Sequence, residues 1–149
     1  MEFIPHGSFR LLLGKHVILC SLHASFNYEA ALELSRRVKE ILSASPRKAN
    51  LIDNRPWGLA TPEASEVLAE LNRWSIGMGL CRSAHVTKDP LTKAVIDHNL
   101  SPDSERYIRR HFADMEGARQ WLADEGYPIS DEELRELEEL ADRGDQAAK

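Results

Sequence analysis

Asp53, Arg55, Trp57 and Thr61 bring a carboxylate, a guanidinium, an aromatic face and a hydroxyl into one short stretch of the chain. They lie between an apolar run ending at Asp53 and the helix start Thr61-Pro62-Glu63, where a loop gathers side chains beside the free backbone donors of a helix N-terminus. An anion, or an acidic side chain on a partner protein, is what such a site would hold. The same residues also have a purely structural use: Asp53 caps a turn, Arg55 pairs with it, Trp57 covers the core edge and Thr61 caps its helix. In neither reading does the cluster supply a nucleophile with a base beside it.

Cys20, His23, Cys81 and His85 are the residue types of a tetrahedral zinc site. Side chains alternate across a strand, however, so Cys20 and His23 leave on opposite faces while Cys81 and His85 share one, and the four do not converge without a bulge. Buried cysteines and surface or hydrogen-bonded histidines are the plainer expectation, and no metal is expected. Asp114 with Glu116, and Glu132 with Glu133, sit at helix starts, where carboxylates complement exposed backbone donors. Met78, flanked by glycines, would frame an apolar recess with Trp57 and Trp74 for a small lipid-like ligand; packing into the core is their other use. The dinucleotide, Walker, zincin and nucleophile-elbow motifs are all missing, so no cofactor is expected and standard catalytic assignments have nothing to attach to.

Size and charge narrow the classes further. The 149 residues, 42% hydrophobic and 29% charged, suit one globular domain that buries roughly two thirds of its extended surface. No apolar run approaches the roughly 20 residues of a bilayer span. The N-terminus carries Glu2 and lacks a basic region followed by an apolar core, so the cytoplasm is the expected compartment. Two cysteines are too few for a secreted disulfide framework. Residues 114–149 hold twelve acidic and four basic side chains, which leaves +3 on residues 1–113 out of a net −5. The basic groups are scattered with no interleaved aromatics, so nucleic acid is not an expected partner.

The elements that must position these residues follow from hydrophobic periodicity. Ser8 to Leu13 and His16 to Ala24 read as antiparallel strands around a Gly14-Lys15 turn. Both faces of the second are apolar, as a strand covered by helices on both sides requires. Asn27 caps a first helix with Ala30, Ala31, Leu34, Val38, Ile41 and Leu42 inward. A brief strand from Ala49 to Asp53 leads into an irregular crossing loop, Asn54 to Gly58. Thr61 then caps a second helix that opens with Pro62 and ends at Gly77-Met78-Gly79. A strand from Leu80 to Thr87, a helix from Pro90 to His98, a short strand from Arg109 to Phe112 and a helix capped by Asp114 complete an alternating α/β series. Beyond Gly126-Tyr127-Pro128, the capping box at Ser130-Asp131-Glu132-Glu133 starts a last helix with the narrow stripe Leu134, Leu137 and Leu140. Residues 1–126 thus read as one α/β domain, and 127–149 as an acidic helix and a disordered tail from Asp142.

This order, with Asp53 closing a strand and the segment Phe112-Ala113-Asp114-Met115-Glu116-Gly117-Ala118-Arg119-Gln120-Trp121-Leu122 opening the fourth helix, resembles the STAS and anti-sigma-factor antagonist-like proteins, in particular an uncharacterised bacterial branch of them. The resemblance covers about residues 8 to 125 and rests mainly on element order. It implies a sandwich with a mostly parallel sheet, an antiparallel edge strand and helices on both faces. In the antagonists a phosphorylatable Ser follows the Asp-ended strand in an Asp-Ser-Ser-Gly-like loop, and its phosphorylation blocks docking to an anti-sigma kinase. The corresponding stretch here, Asp53 to Pro62, has no Ser and offers only Thr61 at a comparable helix start, so the serine switch is not carried over.

The expected function is a non-enzymatic regulatory or protein-interaction module whose partner surface includes Arg55, Trp57 and Thr61. The alternative is a small apolar-ligand protein with its recess at Trp57, Trp74 and Met78. A homodimer through the first edge strand, Phe3-Ile4 or the leucine stripe is also expected, against the plainer case in which those groups pack back on their own domain.

Overall fold

Ten consecutive residues of strand type, Val17 to Phe26, outrun every neighbouring strand, and this mismatch shapes the sheet. The computed structural model describes residues 5–140 and 143–144. β1 (Ser8–Leu13) pairs antiparallel with β2 (Val17–Phe26), in register from Ser8 opposite His23 to Leu13 opposite Ile18. After α1 (Tyr28–Ala44), β3 (Ala49–Asp53) runs parallel to β2 but covers only Val17 to Ser21. The uncovered end of β2 takes β4 (Trp57–Ala60), with Ala24 opposite Trp57 and Phe26 opposite Ala60.

β4 corrects the irregular loop expected there. Pro56 and Gly58 punctuate the segment as a turn would, and only the free edge of a longer neighbour makes it a strand. The fit is irregular: the register shifts between Ala24 and Phe26, and Ala24 and Leu59 both take positive φ, at 60° and 73°.

α2 (Pro62–Gly77), β5 (Arg82–Val86), α3 (Pro90–Asn99), β6 (Ile108–Phe112) and α4 (Met115–Asp124) follow in the expected order. The sheet runs β6-β5-β3-β2-β1, parallel except at β1. Asn27, Thr61, Asp89 and Asp114 cap α1 to α4 through their side chains. Among the described residues, no helix is long and apolar enough to cross a membrane.

The alternation of β2 divides the core as its sequence implies. Ile18, Cys20 and Leu22 face α1, α2 and α3, with Leu34, Leu42, Leu71 and Ile96 packed against them. Val17 and Leu19 face the other way, toward Ala118 and Leu122 of α4. On that second face lies α5 (Asp131–Glu139), with its capping box complete: Ser130 Oγ accepts from the Glu133 N–H and Glu133 from the Ser130 N–H. The segment set apart by sequence at residue 127 is part of this layer, because Ile129 and Leu137 are each 3% exposed and Leu134 and Leu140 pack beside them. The leucine stripe is thereby turned toward its own sheet. Arg143–Gly144 pairs with Ser8 and Phe9 of β1 as β7. Phe3-Ile4 and the rest of the tail lie outside the described residues.

Candidate functional site

Asn54 is the pivot of the corner where β3 gives way to β4. It is buried, and its backbone N–H donates to Val86 O at 2.8 Å, tying the end of β3 to β5. The next three residues step sideways, with Trp57 N–H donating back to Asn54 O and Ala24 N–H donating to Pro56 O. Ser25 Oγ donates to Gly58 O at 2.9 Å, and Lys88 Nζ to Trp57 O at 2.8 Å. A side chain at Gly58 would meet Ser25 Oγ at 2.6 Å and Ser25 N at 3.2 Å, so the hydroxyl that holds Gly58 O would have to give way.

The corner splits the residues that sequence placed together. Arg55 is exposed and grips Asp53 with two bonds of 2.9 Å, Nε to Oδ1 and Nη2 to Oδ2. Hydrogen bonding to Asp53 raises the Arg55 pKa above its ordinary value, and Asp114 and Glu138 add to the acidic field around it. Thr61 Oγ1 accepts from the Ala64 N–H. Trp57 goes the other way. It is 5% exposed and meets Phe26 edge-on, with centroids 6.3 Å apart. An aromatic anchor for a partner at Trp57 is therefore corrected: period two and the pull of the core turn the indole inward.

Trp57 also lines an apolar cavity of about 110 Å³ between the sheet and the layer of α1, α2 and α3. Ile18, Cys20 and Leu22 of β2 floor it, and Leu34, Leu68 and Ile96 help to roof it. Trp74 and Met78, expected to frame such a recess, are elsewhere: neither lines the cavity, Met78 is exposed at the end of α2, and Lys39 Nζ stands 5.8 Å from the Trp74 ring centre. Two buried polar atoms of the lining have no hydrogen-bond partner, Asn50 Oδ1 and Trp57 Nε1.

Beside the cavity, β5 and β6 carry polar residues on their α3 side that sequence reasoning passed over. Tyr107 OH donates to Ser83 Oγ at 2.9 Å, and Asn72 accepts from the Ser101 N–H. Arg109 is buried and donates through Nε to Asp97 Oδ1 at 3.1 Å. His111 bridges Thr87 Oγ1 (2.9 Å) and the same Asp97 oxygen (2.8 Å). Partial burial works against ionisation of Asp97, but the bonds from His111 and Arg109 outweigh it and lower its pKa. Hydroxyl, imidazole and carboxylate in line are the order of a nucleophile chain. Here the guanidinium on Asp97 already compensates the charge that such a chain would use to stabilise a protonated imidazole. The available signal was the spacing of Ser83 with His85 and Arg109 with His111, which puts each pair on one strand face.

Cys20 is buried, and burial pushes its thiol up to about 12, with Asp53 adding to the shift. Cys81 Sγ instead lies 3.3 Å from Tyr127 OH. Among the described residues, no three His, Cys, Asp or Glu side chains are placed to hold a metal ion.

Solved structures decide the architecture. An uncharacterised protein of the DUF3478 family from Shewanella loihica PV-4, described as having a SpoIIAA-like fold, superposes with a TM-score of 0.59 at 13% identity, covering 82% of this chain and 98% of its own. The chain has a SpoIIAA-like fold. The anti-sigma factor antagonist SpoIIAA in its unphosphorylated form agrees, with a TM-score of 0.58 at 10% identity over 81% of this chain and 99% of that one. No family model matches the sequence, and no curated protein matches it. At these identities the likeness concerns the SpoIIAA-like fold alone, and the corner and cavity must be judged on their own side chains.

Proposed function

We propose that this SpoIIAA-like chain is a non-enzymatic regulatory module that works by protein contact at the β3–β4 corner, without a serine phosphoswitch. The observation that carries the reading is a surface both exposed and fixed. Arg55, Pro56, Gly58, Thr61, Pro62 and Glu63 are all exposed, yet their backbone is held by Asp53, Ser25, Lys88 and the Thr61 cap. A preorganised surface loses little conformational freedom on docking. Trp57 supports this corner from beneath. The likeness to an anti-sigma factor antagonist supports the reading as an analogy of fold.

The test is affinity capture from lysate of the source cells with the intact chain, Arg55→Glu, Glu63→Arg and Arg106→Glu, all first shown to melt alike. Arg106 is exposed just before β6, at the end of the parallel strands opposite to the corner. A partner retained by Arg106→Glu and lost by both corner variants supports the reading. Equal capture by all four proteins refutes it. The cavity favours a second reading, a small-ligand role, and the two are compatible because Trp57 belongs to both places.

A further inference from the structure

The cavity has a polarity that its hydrophobic walls conceal. Asn54 Nδ2 lies 3.1 Å from Ile52 O and 3.4 Å from Val86 O, so this end of the amide faces carbonyl acceptors and must be the donor. Its second hydrogen then goes to His85 Nδ1 at 2.9 Å. That bond fixes the tautomer: Nδ1 accepts, and the proton of the neutral ring sits on Nε2. Burial, aided by His111 and Arg109, lowers the His85 pKa to about 3 and keeps the ring neutral at pH 7. His85 is 2% exposed and lines the cavity.

Trp57 Nε1 can only donate, and it is buried without a partner. The buried end of the Asn50 amide is likewise unpaired on the same lining. An unmatched buried polar group is costly, so its presence on a cavity wall calls for a complement inside the cavity. Charge sets the nature of that complement. Among the described residues, none that lines the cavity is Asp, Glu, Lys or Arg, and an ion taken in there would have no counter-charge. The occupant must be neutral.

Volume sets the size. An apolar cavity of about 150 Å³ holds a benzene molecule, so the partly open 110 Å³ here takes about five non-hydrogen atoms. The lining residues Ser65 and Leu68 of α2 and Val95 and Asn99 of α3 keep partial exposure.

We propose that the cavity is a binding site for a small neutral amphiphile: a compact hydrocarbon body, or the end of a longer one, bearing a carbonyl or hydroxyl oxygen that accepts from Trp57 Nε1–H and His85 Nε2–H. A hydroxyl would also serve the Asn50 oxygen. The ligand is thus distinguished from a fatty acid anion by charge and from a hydrocarbon by its oxygen. The proposal deepens the small-ligand reading and does not rest on the partner surface, so the failure of either leaves the other standing.

The probes are butanone, cyclopentane and propionate, each of five non-hydrogen atoms, titrated into the uniformly ¹⁵N-labelled full chain while the Trp57 indole N–H resonance is followed. The expected result is a saturable shift with butanone, binding about tenfold weaker for cyclopentane because the acceptor is missing, and no saturation with propionate. Trp57→Phe, read on the Ile96 and Leu71 methyl groups, should keep cyclopentane binding and reduce the advantage of the ketone. No saturable indole shift at 20 mM ketone, on the order of the weakest useful affinity for so small a probe, overturns the proposal. Equal affinity for ketone and hydrocarbon, or tighter binding of propionate, overturns it as well. The titration of the unaltered chain decides the matter even if Trp57→Phe does not fold.

Discussion

Leu137→Ala tests whether α5 is structural or appended. Leu137 is 3% exposed and belongs to the same apolar cluster as Val17, Leu19 and Ile129. Around it the helix is tied by polar contacts at several points. Lys15 N–H donates to Glu133 Oε2 at 2.9 Å, Arg10 Nη1 to Glu138 O at 2.7 Å, and Arg119 Nε to Ile129 O at 2.8 Å. Truncating a buried Leu costs about 2 to 5 kcal/mol, depending on how far the site collapses. One short helix at the side of a sheet relaxes more easily than a central strand, which places this variant in the lower half of that range, at about 2 to 3 kcal/mol. In a chain of this length each kcal/mol moves the midpoint by about 2 to 4 °C, so the melt should drop by about 4 to 12 °C. Far-ultraviolet circular dichroism is the assay, and the transition should stay single. A midpoint within 1 °C of the parent, or a separate early transition that leaves the main one in place, would refute the packing argument. A chain ending at Gly126 should go further, since it bares the apolar face of β2, and sedimentation equilibrium should show it self-associating.

Asp97→Asn strips the carboxylate from Arg109, whose side chain is 4% exposed; leaving a buried cation unpaired costs up to about 3 to 5 kcal/mol, and partial exposure of Asp97 should hold the loss, measured by urea unfolding, near 2 kcal/mol. Glu133 has its pKa lowered, because the N–H groups of Ser130 and Lys15 outweigh the burial that opposes ionisation. A lowered folded-state pKa gives stability that is present above the ordinary value near 4.5 and lost as pH falls through the folded value. The stability gap between the parent and Glu133→Gln should therefore be full at pH 7 and close on acidification below that ordinary value. Native-state labelling with a thiol reagent should modify Cys81 and spare Cys20, which is buried with its thiol at about 12; fast labelling of Cys20 would show that the α1–α2 layer opens far more readily than its packing implies.

What could be read from sequence was what local chemistry decides. Asn27, Thr61 and Asp114 announce helix starts because a short polar side chain has one good use before an apolar stripe. The two apolar faces of β2 require helices on both sides. β4 was hidden because its cause is not local: the strand exists only because β2 extends past β3, and nothing between Asn54 and Ala60 encodes the length of another strand. The same limit applied at the site. Asp53 and Arg55 were rightly placed together because two residues on one turn meet by geometry alone. The direction of Trp57 depended on which edge β4 would join, and the bond between Asn54 and His85 crosses 31 residues.

Why the chain keeps an irregular strand at this position has a physical answer. A non-glycine residue at positive φ is disfavoured by about 1 to 2 kcal/mol, and Ala24 and Leu59 both adopt it on either side of the β2–β4 pairing. Bringing β4 fully into register would remove the extra residue between the Ala24–Trp57 and Phe26–Ala60 pairings and so reverse the facing of Trp57 relative to Ala60. The indole inside and Arg55 with Thr61 outside therefore come as a set, fixed by one four-residue strand. On the reading proposed above, a cavity occupant that accepts a hydrogen bond from Trp57 Nε1 favours this irregular arrangement over a straightened one. It does so only by the difference between its affinities for the two, which sets the upper bound on any coupling between cavity and corner. For one neutral hydrogen bond that difference is about 0.5 to 1.5 kcal/mol, enough for a change in partner affinity of about two- to thirteenfold and no more.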